Sequence, residues 1–84
     1  MKHKKDITTY NDKGEEHGYW ERYSDNGNLK YKGNYINGRK DGYWELYYYD
    51  GKFHHGGIFI KGEEHGYWEY YWFDGNMYSK EYYI

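Results

Sequence analysis

The chain has 84 residues and a formal net charge of −2, which bounds it to one domain with a small core. It has no Cys, so disulfides and thiolate metal sites are excluded, and no apolar run approaches the roughly 18 residues of a membrane span. The near-neutral charge argues against an electrostatically driven nucleic-acid binder.

Five Ile and two Leu, with no Val, are few aliphatics for an ordinary core. Fifteen Tyr and four Trp stand beside them. Each ring buries roughly 150–250 Å², so a core made mainly of rings is expected. Met1-Lys2-His3-Lys4-Lys5 is basic, but no apolar h-region follows, so it does not read as a signal peptide. A cytoplasmic location is expected, the host cytoplasm if the chain is phage-encoded. The absence of Ala, Pro, Val and Gln fits an AT-rich coding sequence of bacterial or phage type.

Along the chain, residues 1–13 read as the back half of a decayed repeat. Tyr10-Asn11-Asp12-Lys13-Gly14 replaces Tyr35-Ile36-Asn37-Gly38, with one residue inserted. Three full copies follow, at 14–37, 38–61 and 62–84. Gly18-Tyr19-Trp20-Glu21 recurs as Gly42-Tyr43-Trp44-Glu45 and Gly66-Tyr67-Trp68-Glu69, spaced by 24 residues both times. Gly14/Gly38/Gly62, Tyr23/Tyr47/Tyr71, Gly27/Gly51/Gly75 and Ile36/Ile60/Ile84 keep the same step. A fixed period of this kind marks a stack of one supersecondary unit.

Each copy opens a first turn at Asp25-Asn26-Gly27, echoed by Asp50-Gly51 and Asp74-Gly75, and a second at Asn37-Gly38-Arg39-Lys40-Asp41, echoed by Lys61-Gly62-Glu63-Glu64-His65. Asn-Gly and Asp-Gly favour positive φ and are strong hairpin signals. Aromatic and β-branched stretches lie between them, so each copy is a hairpin. The expected fold is all-β: one elongated, twisted antiparallel meander of about seven strands, two per repeat.

A two-residue turn at Asn26-Gly27 places Trp20 opposite Gly33, Glu21 opposite Lys32, Trp44 opposite Gly57 and Glu69 opposite Lys80. A Trp laid across a strand glycine covers backbone and fills missing volume. Strict alternation then puts Trp20, Leu29, Tyr31, Tyr35, Trp44, Leu46, Tyr48, Phe53, Phe59, Trp68, Tyr70, Trp72, Met77 and Tyr83 on one face. Tyr19, Glu21, Tyr23, Lys30, Lys32, Tyr43, Glu45, Tyr47, Tyr67, Glu69, Tyr71 and Lys80 occupy the other. No helix is available to cover the Trp face, so self-association or a permanent partner through it is expected.

The pattern Tyr31-x-Gly33-x-Tyr35-x-x-Gly38-x-x-x-Gly42-x-Trp44-x-x-Tyr47-x-x-Asp50-Gly51 resembles the MORN repeat, closest to the bacterial variant of YwqK-type antitoxin-like proteins. The resemblance covers 14–84. It implies a twisted antiparallel sheet and a non-enzymatic scaffold, interaction module or antitoxin, with no catalytic residues to carry over. The third copy departs from it: Glu81 stands where the others have Gly33 and Gly57, which on this reading leaves Trp68 without a glycine. Lipid binding has little support, since only Lys2, Lys4 and Lys5 cluster.

The carboxylate column Glu21/Glu45/Glu69 reads as a cross-strand charge ladder rather than an acid/base pair. His17, Asp41 and His65 share a turn column. His54 and His55 are adjacent and, in a regular strand, point to opposite faces, so no metal site is expected, nor any cofactor. Tyr23, Tyr47, Tyr48, His55, Tyr70, Tyr71, Trp72 and Arg22 are the candidate contact residues, because Tyr and Trp dominate binding hot spots. Trp20, Trp44, Trp68, Gly33 and Gly57 are read as structural.

No nucleophile–base constellation is visible, so the expected function is a non-enzymatic module that masks a target protein, as an antitoxin-like or counter-defence inhibitor. The other reading is an oligomer whose aromatic pockets sequester a small nucleotide-type ligand, with Arg22, Lys30, Lys32, Arg39 or Lys40 meeting phosphates. Positions where the copies disagree, Arg22/Leu46/Tyr70, Ser24/Tyr48/Trp72, Tyr31/His55/Ser79 and Gly33/Gly57/Glu81, are where function is expected.

Overall fold

A computed structural model describes residues 5–84; Lys2 and Lys4 of the basic cluster lie outside the described residues. Six strands form one antiparallel sheet in sequence order: β1 (Gly18–Tyr23), β2 (Leu29–Ile36), β3 (Arg39–Tyr47), β4 (Phe53–Ile60), β5 (Glu63–Tyr71) and β6 (Met77–Tyr83). Among the described residues the decayed copy supplies no seventh strand; it meets the β1 side at the bridges Ile7–Glu21 and Tyr10–Glu16. Among the described residues no helix is long and apolar enough to cross a membrane. The molecule is a plate measuring 43 × 41 × 10 Å, one sheet thick.

The two turns are of different kinds. Asn37 and Gly38 both have positive φ, as do Lys61 and Gly62, and Ile36 pairs directly with Arg39. This is the two-residue type I′ turn, whose twist matches that of the strands. The first turn is longer than expected. Ser24 N–H donates to the Asn28 carbonyl and Gly27 N–H to that of Ser24, which closes a three-residue loop with Gly27 at φ 90. One residue of the return strand is then extra, and the register slips between Arg22 and Tyr23.

The same slip recurs between Leu46 and Tyr47 and between Tyr70 and Tyr71. Each bulge moves a side chain across the sheet. Leu29, Phe53 and Met77 therefore pair with Tyr23, Tyr47 and Tyr71 on the Tyr face, not the Trp face.

A second irregularity joins the repeats. Lys32 pairs with Glu45 and Asn34 with Asp41, so Gly33 opposes three residues, Gly42, Tyr43 and Trp44. Gly42 carries φ 84 there. The excess turns the Trp44 indole over β2, where a Cβ on Gly33 would overlap its ring. Gly57 likewise lies beneath Trp68. Trp20 does pair with Gly33, and Trp44 with Gly57, but each glycine seats the indole of the next repeat. Trp68 thus has its glycine. Glu81 stands where no further indole arrives.

This arrangement buries the tryptophans with a single sheet. Trp20, Trp44 and Trp68 are 1–2% exposed and are the core. Each indole N–H donates to a carbonyl of the preceding strand or segment: Thr9, Asn34 and Ile58, at 2.9, 3.0 and 3.2 Å. Tyr10, Trp20, Tyr35, Trp44, Phe59, Trp68 and Tyr83 form one continuous edge-to-face file, with centroids 4.9–6.4 Å apart. Cover for the Trp face was expected to come from another copy or a partner; these three indoles are instead buried within the single chain.

Candidate functional site

The Tyr face is organised in rows that cross the strands. Its middle row is Glu21, Lys32, Glu45, Gly56, Glu69 and Lys80, each paired with the next. Lys32 Nζ lies 3.2 Å from Glu45, and Lys80 Nζ 3.8 Å from Glu69. Tyr19 and Tyr23 hydroxyls both donate to Glu21 at 2.6 Å. Tyr47 donates to Glu45 and Tyr71 to Glu69, at 2.9 and 3.0 Å. All three carboxylates are hydrogen-bonded, and Glu45 and Glu69 are also charge-paired across strands, as a cross-strand ladder would be.

The phenols answer to this environment. Burial, then the bond to Glu21, pushes the Tyr19 phenol up to about 12. The bond to Glu21, then burial, takes Tyr23 to about 12. Tyr47 rises for burial first and Tyr71 for its bond to Glu69 first. Phe53 covers Gly56, the gap in the charged row, and packs against Tyr47 and Tyr71 with centroids 5.6 and 5.3 Å away.

On the Trp face a different row runs below the indoles: Arg22, Tyr31, Leu46, His55, Tyr70 and Ser79, each paired with the next. None of these residue types repeats within its column, and all six are partly exposed. His55 and Tyr70 stack at 5.3 Å and 13°. Tyr48 packs on His54 at 4.2 Å, and Trp72 stacks on Tyr78 at 4.2 Å. Phe73 meets Tyr48 edge-on. Trp72 is 54% exposed and Phe73 66%. The variable positions of copies two and three thus converge on one aromatic patch.

Because His54 sits at the bulge, it does not point away from His55; the two Nδ1 atoms are 2.6 Å apart. Burial first, then His54 and Lys40, lowers the His55 pKa. At the other end of the row Arg22 lies over Trp20 at 5.1 Å and 3.4 Å from Asp6. Its Nε is buried and has no hydrogen-bond partner among the described residues.

Of the candidate contact residues, Tyr48, His55, Tyr70 and Trp72 come together in the patch. Arg22 lies at the far end of the same row, while Tyr23, Tyr47 and Tyr71 are on the opposite face, bound to glutamates. His54 and Tyr78 were not among the candidate contact residues; their signal was the glycine of the three-residue loop, Gly51 or Gly75, three residues before each bulged position.

The turn column His17/Asp41/His65 is not a metal cluster. His17 Nδ1 accepts from Asn37 N–H at 3.1 Å and Asp41 from Lys61 N–H at 3.3 Å, tying each type I′ turn to the repeat before it. Among the described residues no three His, Asp or Glu side chains gather as metal ligands would. The cations assigned to phosphates are scattered: Lys32 on Glu45, Lys40 over Trp44 and Phe59, Arg39 beside Gly62. Comparison with family models, curated proteins and solved structures gives no match.

Proposed function

We propose that the chain is a non-enzymatic interaction module of the MORN-repeat type, an antitoxin-like or counter-defence inhibitor that masks a target protein. The observation that carries this reading is the row Arg22–Ser79 and the patch it ends in. What the copies share builds the sheet: the indoles, the turn glycines and the Tyr–Glu ladder. What they do not share along this row is partly exposed and contiguous, and around His55 and Tyr70 it is aromatic. Flat, rigid rings with small entropy cost are the usual anchors of protein interfaces. The hydroxyls of Thr9 and Ser79 are tied to the His17 carbonyl and to Glu81, which supports a structural rather than a nucleophilic use.

The test is capture of the target from the native host by tagged chain, followed by variants. Trp72→Ala and Tyr48→Ala should each lower capture at least about tenfold, as loss of a hot-spot ring does. Tyr71→Ala, on the opposite face, should leave it unchanged while folding is confirmed by circular dichroism. If native mass spectrometry instead finds a small molecule retained by wild type and lost in Trp72→Ala, the sequestering reading replaces this one.

A further inference from the structure

The Tyr face, not the Trp face, is the side of this sheet left open. Tyr43, Ile58, Tyr67 and Tyr82 are 54, 43, 64 and 60% exposed, and they lie on four successive strands above the charged row. Ile60 and Ile84, further up β4 and at the end of β6, are also exposed. Below the row lie the pairs Tyr23–Leu29, Tyr47–Phe53 and Tyr71–Met77. The face is therefore two apolar stripes separated by one line of charge.

That line carries its own complement. From β1 to β6 it reads Glu, Lys, Glu, Gly, Glu, Lys, and reversed it reads Lys, Glu, Gly, Glu, Lys, Glu. A second copy turned about a two-fold axis parallel to the strands, between β3 and β4, brings the row onto its own reverse. Glu21 then meets Lys80, Lys32 meets Glu69, and Glu45 meets Gly56, which has no side chain. Across the upper stripe Tyr43 meets Ile58, and across the lower one Tyr47 meets Phe53. A two-fold perpendicular to the strands would instead set Glu over Glu and Lys over Lys.

We propose that the Tyr face is a homodimer interface, formed by two sheets stacked about this strand-parallel two-fold. A domain ordinarily needs two packed layers around its core, and one chain supplies only a plate 10 Å thick. A sheet 43 × 41 Å across needs to cover only about half of one face to reach the roughly 800 Å² per partner of a stable interface. Stacked sheets cross at about 30°, so contacts nearest the axis, on β3 and β4, dominate. The dimer leaves two aromatic patches on its outer surfaces, one per copy, and makes the molecule bivalent.

Sedimentation equilibrium of the full chain tests this. Wild type should sediment at twice the 10.5 kDa chain mass. Ile58→Lys places a charge at the centre, at a position solvated in the single chain, and should weaken dimerisation about a hundredfold with unchanged circular dichroism. Tyr67→Glu serves the same purpose if Ile58→Lys does not fold. Trp72→Ala should leave the dimer intact. The axis is read separately: on oxidation, chains carrying Lys32→Cys should cross-link to chains carrying Glu69→Cys rather than to one another. A wild-type monomer overturns the proposal, as does a dimer indifferent to Ile58→Lys and Tyr67→Glu. Cross-linking of Lys32→Cys chains mainly to one another overturns the orientation.

Discussion

Two residue types at one column show how closely this fold is specified. Gly33 and Gly57 have no room for a Cβ because an indole lies on them. Glu81 occupies the same column on β6, where its carboxylate is held by Ser79 and Tyr83 of its own strand and no indole follows. The glycines answer to the next repeat, not to the Trp they pair with. Gly33→Ala should therefore displace Trp44 and cost about 3 kcal/mol, the scale of overpacking a tight core. Glu81→Ala, at the homologous position, should stay within about 0.5 kcal/mol, as exposed substitutions do. Urea unfolding of the two variants beside wild type measures both. The opposite ranking would mean that Trp68, not Trp44, depends on the column as the pairing alone suggests. The Trp20–Gly33 and Trp44–Gly57 pairs were legible in the sequence because alternation fixes register. Which indole fills the glycine was not, since that depends on the excess residues at Gly42 and Gly66. An isolated glycine inside a strand pattern is the sign of such a bulge, and both were present.

Hairpins show a similar division. Glu21–Lys32 and Glu69–Lys80 pair as the turn dipeptides imply, because a two-residue turn and a three-residue loop with one bulge leave the same register beyond the bulge. The faces nearer the loop differ, which is why Leu29, Phe53 and Met77 changed sides and why the His54–His55 pair was hidden. The strands' common product is the Tyr–Glu ladder, and it has a pH signature. Folded Tyr19 and Tyr23 hold their protons to about 12 against an ordinary value of 10.0. A raised folded-state pKa means stability is fully present below pH 10 and is lost as pH rises through 10 toward 12. Thermal midpoints should thus be level just below pH 10 and fall above it. Tyrosinate absorbance of the ladder should appear together with loss of the folded signal. Glu21→Gln, which removes the charge beside both phenols, should shallow that fall. Ladder phenols that ionise near pH 10 with the sheet intact would show that the glutamate bonds do not hold in solution.

At the scale of the molecule, the sheet is a one-dimensional stack. Each strand pairs with its sequence neighbours, and Trp44 and Trp68 each lie between a glycine of the repeat before and a ring of their own hairpin. In such an array, stability is a sum of unit and neighbour terms, so ends open before the middle. The two ends are unlike. β1 is braced by residues 5–10, through Ile7 to Glu21 and Thr9 to the Trp20 indole, whereas β6 has β5 on one side and Lys80 and Glu81 on its exposed edge, charges of the kind that discourage further pairing. Amide hydrogen exchange should therefore be slowest in β3 and β4, intermediate in β1 and β2, and fastest in β6. The face-to-face dimer deepens the same ranking, because its axis runs between β3 and β4. Ile58→Lys separates the two contributions: it should raise exchange in β3 and β4 toward that of β2 and leave β6 unchanged. Uniform protection from β1 to β6, collapsing at a single denaturant concentration, would mean that the repeats unfold as one unit and that the nearest-neighbour description fails.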